Sequence, residues 1–263
     1  MPDPYFLIDA DFRLQVAVLR HIEKTRVSVQ NRLFSLTEFP RRKDWGLHLP
    51  EDHPDVMFIQ EVLDTIAARE EETVGSLSAR YRKTPLSEWS SQFKGLGPGK
   101  LMARLLGEIG DPYVFPDGTR RRFPQLRSLS GVSVVDGHSP RHAAGQQSGF
   151  RPQARTRLWL VSDQLIKQHA DPYHTVFLEG VEKYKDEKYR GRDAKDKPWS
   201  DERFAVIGRK RARLLVSTRF LRDLYRTSRD IHLESDPQCQ EEDVHLSQAV
   251  SEPPEGILVE AQA

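Results

Sequence analysis

Three glycines within five residues, Gly95, Gly97 and Gly99, separate two short stretches of helical periodicity. Trp89 and Phe93 lie four apart before them, which puts both on one helix face. Leu101, Met102, Leu105, Leu106 and Ile109 resume the period after Pro98. No helix interior holds that glycine density cheaply, so the stretch predicts a helix, a tight hairpin and a second helix. The start of the second helix offers unpaired N–H groups and the positive end of a dipole, a combination suited to an anion. Lys100 and Arg104 add charge there. The fit is to a nucleic-acid backbone phosphate, gripped without reading sequence. A dinucleotide-binding turn is excluded because helical periodicity, not a strand, precedes the glycines. A P-loop is excluded because Leu101, not Ser or Thr, follows Lys100.

The rest of the chain reads as an all-α protein. Leu7, Leu14, Val18, Val29, Leu33 and Leu36 mark one long stripe over residues 5–36. Met57, Phe58, Val62, Ile66, Val74, Leu77 and Tyr81 mark a second, after a Pro-rich connection. Together they predict an antiparallel, coiled-coil-like hairpin over residues 1–84, a geometry often used for self-association. Residues 85–229 form the second domain, with helices expected over 124–129, 153–169, 172–189 and 201–229 and a brief β-prone run over 130–135. Residues 230–263 lose all period and read as a disordered acidic tail. Asp9 and Asp11, near the first helix start, read as capping or surface residues. Gly97→Val is expected to strain the hairpin.

Charge is divided along the chain. Residues 1–93 carry −3, residues 94–229 carry +13 and residues 230–263 carry −9, within a formal net charge of +1. A basic middle beside an acidic tail suggests a polyanionic partner, and DNA is the expected one. Its contacts are expected at Gly95, Gly97, Gly99, Lys100 and Arg104, at Arg120, Arg121 and Arg122, at Arg151, Arg155 and Arg157, and at Arg209, Lys210 and Arg213. Removing residues 230–263 is expected to tighten binding at low salt. Cys239 is the only cysteine, which rules out an intramolecular disulfide and a thiolate metal cage. His138 and His142 are four apart in a loop with no helix to enforce ligand geometry, so no metal site is assigned. No apolar run approaches a membrane span and no signal-peptide pattern opens the chain, so the expected setting is cytoplasmic and away from membranes.

The strings Phe93-Lys-Gly-Leu-Gly-Pro-Gly-Lys100 and Gly107-Glu-Ile-Gly-Asp111 are the most specific signals. With Leu129-Ser-Gly-Val-Ser-Val-Val-Asp-Gly137, Gly145-Gln-Gln-Ser-Gly149 and Arg155-Thr-Arg-Leu-Trp-Leu160, they resemble the C-terminal helix-hairpin-helix domain of IS-one-ten / IS-one-one-six family transposases. That family includes Piv-type DNA invertases. The resemblance covers roughly residues 89–185 and implies DNA transposition or site-specific recombination. In the family an acidic ribonuclease-H-like domain and a serine nucleophile cooperate with a divalent metal. Ser148 matches the serine position, and Ser139 is a lesser candidate. Residues 1–83 lack the alternating strands of such an acidic domain. Mg²⁺ is therefore implied only if the chain cuts DNA, and a guide RNA or a separate catalytic subunit becomes a possible partner, alongside self-association through the hairpin. The alternatives are a non-catalytic architectural DNA binder and a coiled-coil adaptor.

Overall fold

The computed structural model describes residues 7–38, 45–97, 99–133, 149–192 and 196–235, and within them the protein is all-α. Helix α1 (Ala10–Leu36) begins where Asp9 caps it, its Oδ1 accepting a 2.7 Å bond from the Phe12 amide. Helix α2 (Pro54–Tyr81) opens on a proline, whose missing N–H costs nothing at that position. Asp9 meets Arg80 at 2.6 Å, Gln15 meets Ser76 at 2.8 Å and Arg26 meets Glu70 at 2.6 Å. Those partners run in opposite order, so α1 and α2 are antiparallel.

The buried face of α1 differs from the expected stripe. Leu14 and Val18 are 63% and 46% exposed, while Phe12, Val16 and Leu19 are buried. The helix has apolar residues on two faces, and the one carrying Phe12 and Val16 meets a third element. That element is α4 (Lys100–Ile109), reached through α3 (Pro85–Ser91) and the glycine hairpin. From Met102 to Ile109 every residue of α4 is buried, held among α1, α2 and α6 (Pro152–Lys167). Gly107 permits the α1 approach, because a Cβ there would overlap Val16. At the far end of the hairpin the Leu47 and Leu49 amides bond back to the Ser35 and Leu36 carbonyls at the end of α1, and Met57 and Phe58 stay exposed.

Helix α5 (Phe123–Leu129) follows a turn closed by the Val114–Arg120 bridge. Residues 130–133, the described part of the β-prone run, form no strand. The single helix expected over 172–189 divides into α7 (Tyr173–Lys183) and a 3₁₀ turn, Glu187–Tyr189. Asp186 starts that turn afresh by accepting from the Lys188 amide. Helix α8 (Asp201–Ser235), 35 residues long, spans about 52 Å at 1.5 Å per residue. It passes the expected end at Arg229 and reaches Ser235, so residues 230–235 are ordered helix rather than tail. Ser228 and His232, polar yet buried, dock that last stretch onto Asp111. Residues 236–263 lie outside the described residues.

One apolar cluster runs from Ile8 in front of α1 to Leu224 in α8 and takes in residues on both sides of position 84. Trp89 and Phe93 share a face as expected, with ring centroids 5.2 Å apart. Tyr173 and Phe220 complete a four-ring cluster that fastens α3 to α7 and α8. No described helix is long and apolar enough to cross a membrane.

Candidate nucleic-acid interface

The hairpin between α3 and α4 has three glycines with three different roles. Gly95 needs its freedom, with φ of +88° and Gln168 Cγ 2.5 Å from where a Cβ would sit. Leu96 is buried and pins the turn to the core. Gly97 has an ordinary φ, and a Cβ there would meet nothing within 4 Å. The expected strain at Gly97 is therefore absent, since added bulk would point into open space. Gly99 is the N-cap of α4, extended and without a side-chain cap, and its N–H bonds to the Gly97 carbonyl. Lys100 is exposed. The first-turn amides of α4 thus start at the surface on a helix whose body is locked in the core.

The expected basic contacts sort into inward and outward groups. Arg104 turns inward, its Nη2 2.6 Å from Glu23, and Glu23 also takes Arg157 at 2.9 Å. Burial lowers the Arg104 pKa, with the Glu23 charge opposing the shift. Both arginines serve a bridge from α1 to α4 and α6, not an open phosphate contact. Arg121 is buried as well, donating from Nη1 to the Ile109 carbonyl at 3.0 Å and lying 4.7 Å over the Phe115 ring. Arg213 pairs with Asp163 at 2.7 Å and covers Trp159 at 4.6 Å. Arg155 lies 5.4 Å over Phe150, and Arg120 is half-buried. Arg122, Arg151, Arg209 and Lys210 face solvent.

Helix α8 shows how these groups are spaced. Tyr225 donates to the Arg121 carbonyl at 3.0 Å, which fixes the Arg120–Arg122 run at the C-terminal half of α8. Trp89 on Phe220 places the hairpin's first helix at the middle. Gly180 against Ala212 places α7 at the N-terminal half, where Arg209 and Lys210 are exposed. Arg209 and Arg222 are thirteen residues apart, about 20 Å along the axis. The basic clusters occupy successive positions along one helix rather than a single patch.

Arg127 and Arg222 belong to the C-terminal group; Arg222 is legible as part of the basic face of the last helix, whereas Arg127 has no sequence signal. Their guanidiniums lie 5.9 Å and 5.6 Å from the Phe123 ring, with exposed Arg226 one turn beyond Arg222. No sequence signal links Arg127 to Arg222, because they are brought together only by α5 packing on α8.

The Gly-Glu-Ile-Gly-Asp string has a structural reason at each polar position. Glu108 pairs with Arg20 at 3.4 Å. Asp111 Oδ1 accepts from the Tyr113 and Val114 amides and from Ser228, and its Oδ2 accepts from the Leu7 amide and His232. Burial pushes the Asp111 pKa up, but those hydrogen bonds and the His232 charge outweigh it and leave it below the ordinary carboxylate value. Asp9 is the cap of α1 and the partner of Arg80, and Asp11 is exposed in the first turn. Among the described residues no group of three or more His, Cys, Asp or Glu is placed to hold a metal ion. Ser148, Ser139, His138 and His142 lie outside the described residues. Comparison of the chain with protein-family models, with curated proteins and with solved structures finds no match.

Proposed function

We propose that this protein binds DNA in a transposase-like or recombinase-like role, with the α3–α4 hairpin as its phosphate grip. The observation carrying this reading is the start of α4: a glycine N-cap with no side-chain acceptor, open space beside Gly97, an exposed Lys100, and a helix body held rigid by burial. Preorganised amides lose little freedom on meeting an anion. Arg122, Arg222 and Arg226 toward one end of α8, and Arg209 and Lys210 toward the other, extend the path for a long polyanion. Among the described residues no element projects side chains in a pattern suited to base edges, which favours specificity delegated to a partner such as a guide RNA or a second subunit.

Mg²⁺ supplies Lewis-acid chemistry in the family this chain resembles. The described carboxylates do not fit that role, since Asp9 and Asp111 are committed to caps and ion pairs, and no step is assigned to a metal here. The outer part of the α1–α2 hairpin, with Met57 and Phe58 uncovered, supports self-association as part of the same proposal.

Gel-shift assays with duplex, single-stranded and structured nucleic acids test the binding reading, and complexes are expected with duplex DNA. Failure to shift any of them at low salt favours the adaptor role. A strand-cleavage assay with Mg²⁺ separates catalyst from architectural binder. Loss of cutting in Ser148→Ala supports the serine, whereas equal cutting removes it.

A further inference from the structure

A second feature lies away from the hairpin, at the opposite end of α4. A cleft of about 960 Å³ opens where the start of α1, the residue 110–121 turn, α5 and the start of α6 converge. Three guanidiniums gather there on three consecutive residues. Arg151 Nη1 donates to the Glu108 carbonyl at 2.8 Å, and Arg121 Nη1 to the Ile109 carbonyl at 3.0 Å. Arg13 lies against Gly110, its Cδ and Nε 3.9 Å from where a Cβ would stand. All three line the cleft.

The negative charge nearby does not match them. The C-terminal end of α4 contributes only about half a charge. Asp111 is occupied by five donors, and Asp9 is paired with Arg80. Among the described residues Asp11 is the remaining carboxylate of the cleft, and it is exposed to water. Arg121 is 5% exposed, and its Nε has no hydrogen-bond partner. A guanidinium at that depth with a donor left unpaired is costly unless an anion joins it. Burial lowers the Arg121 pKa to about 10; Asp111 opposes the shift, and Arg151 and Arg13 add to it. Ile8, Val114, Phe115 and Leu129 give the cleft an apolar side, and Gln125 and Ser128 add neutral polar groups.

We propose that this cleft binds a phosphate-bearing ligand of mononucleotide size, its phosphate among Arg13, Arg121 and Arg151 and its apolar body against the Val114–Leu129 wall. Guanidinium forks suit the tetrahedral, multiply charged phosphate, and a pocket of this size suits a small ligand. The phosphate belongs either to a free nucleotide or to the terminal nucleotide of a strand. Arg121 and Arg151 are also among the expected DNA contacts, whereas Arg13 is not, so substitution of Arg13 separates this site from the hairpin reading.

Isothermal titration of the full chain with AMP, adenosine, inorganic phosphate and a hexadeoxynucleotide, 5′-phosphorylated or 5′-hydroxyl, tests it. AMP is expected to bind and adenosine to fail. Arg13→Gln is expected to weaken AMP at least tenfold while leaving duplex DNA affinity unchanged. Arg121→Lys, which keeps the charge but loses the fork, gives a second reading of the same loss. Tighter binding of the phosphorylated hexamer than of AMP identifies a strand end, and the reverse identifies a free nucleotide. Absence of binding by AMP, phosphate and the phosphorylated hexamer at millimolar concentration overturns the proposal. So does AMP binding that Arg13→Gln and Arg121→Lys leave intact.

Discussion

Asp111 and His232 stand 121 residues apart in sequence and meet at 2.9 Å, carboxylate Oδ2 to imidazole Nε2. Asp111 is ionised, with a pKa held below the ordinary carboxylate range, so Nε2 is the donor. The contact ties the last turns of α8 to the end of α4, and the Leu7 amide on the same oxygen adds the segment in front of α1.

Asp111→Asn is expected to destabilise the fold by roughly 3 kcal/mol at neutral pH, the usual cost of leaving a buried charged network half-made. Urea unfolding measures this directly. The pH dependence has a definite sign. A carboxyl whose folded pKa is depressed contributes stability that is full above its unfolded pKa of about 3.9 and is lost as pH falls through the lower folded value. Wild type should therefore lose stability on acidification below about pH 4 more steeply than Asp111→Asn. Parallel acid limbs for the two proteins contradict the assignment.

Glu23 bridges Arg104 and Arg157 and gives a second measure of the interior charges. Glu23→Ala strands an arginine that is 8% exposed, and a loss of roughly 2–4 kcal/mol is expected. Replacing all three residues with apolar ones of similar volume should recover much of that loss, since the ionic network is not itself a large source of stability. Thermal or urea unfolding of the two variants checks both parts.

Gly107 and Val16 define the closest approach of α1 to α4. A Cβ on Gly107 would overlap a Val16 methyl and come 2.5 Å from the Val16 Cβ. Gly107→Ala is expected to cost roughly 1–3 kcal/mol through overpacking, despite the better helix propensity of alanine. Adding Val16→Ala should return part of it, because the two sites share one contact. A double-mutant cycle with strictly additive effects refutes the contact.

Much of this fold is legible from local chemistry, because its helices begin at Asp9, Pro54, Pro85 and Pro152 and break at the glycine hairpin, all of them local signals. The choice between the two apolar faces of α1 is not local, since it depends on α4 arriving some ninety residues later. The end of α8 was hidden for a similar reason: Ser228 and His232 look like surface residues until Asp111 is placed beside them. The same holds for the candidate site. Its glycines, Lys100 and the open arginines were visible in sequence, whereas the inward turn of Arg104 and Arg157 is set by Glu23, far away in the chain. The cleft at Arg13, Arg121 and Arg151 combines three distant segments and has no linear signature.

The acidic region gives a prediction with a revised boundary. Deletion must begin after Ser235, because residues 230–235 belong to α8 and His232 is buried. The chain lacking residues 236–263, which hold seven Asp and Glu and no Lys or Arg, is expected to bind DNA more tightly at low salt. Equal affinities reject competition between the acidic region and DNA.

The most direct test of the central claim is duplex DNA affinity by fluorescence anisotropy across a salt series, for wild type and for the triple variant Lys100→Ala, Arg209→Ala, Lys210→Ala. The hairpin account predicts binding whose log–log salt slope falls by about 0.9 per phosphate contact removed, with affinity at least tenfold weaker in the variant. Identical slopes and affinities for the two proteins, or no binding by wild type at about 50 mM salt, contradict it.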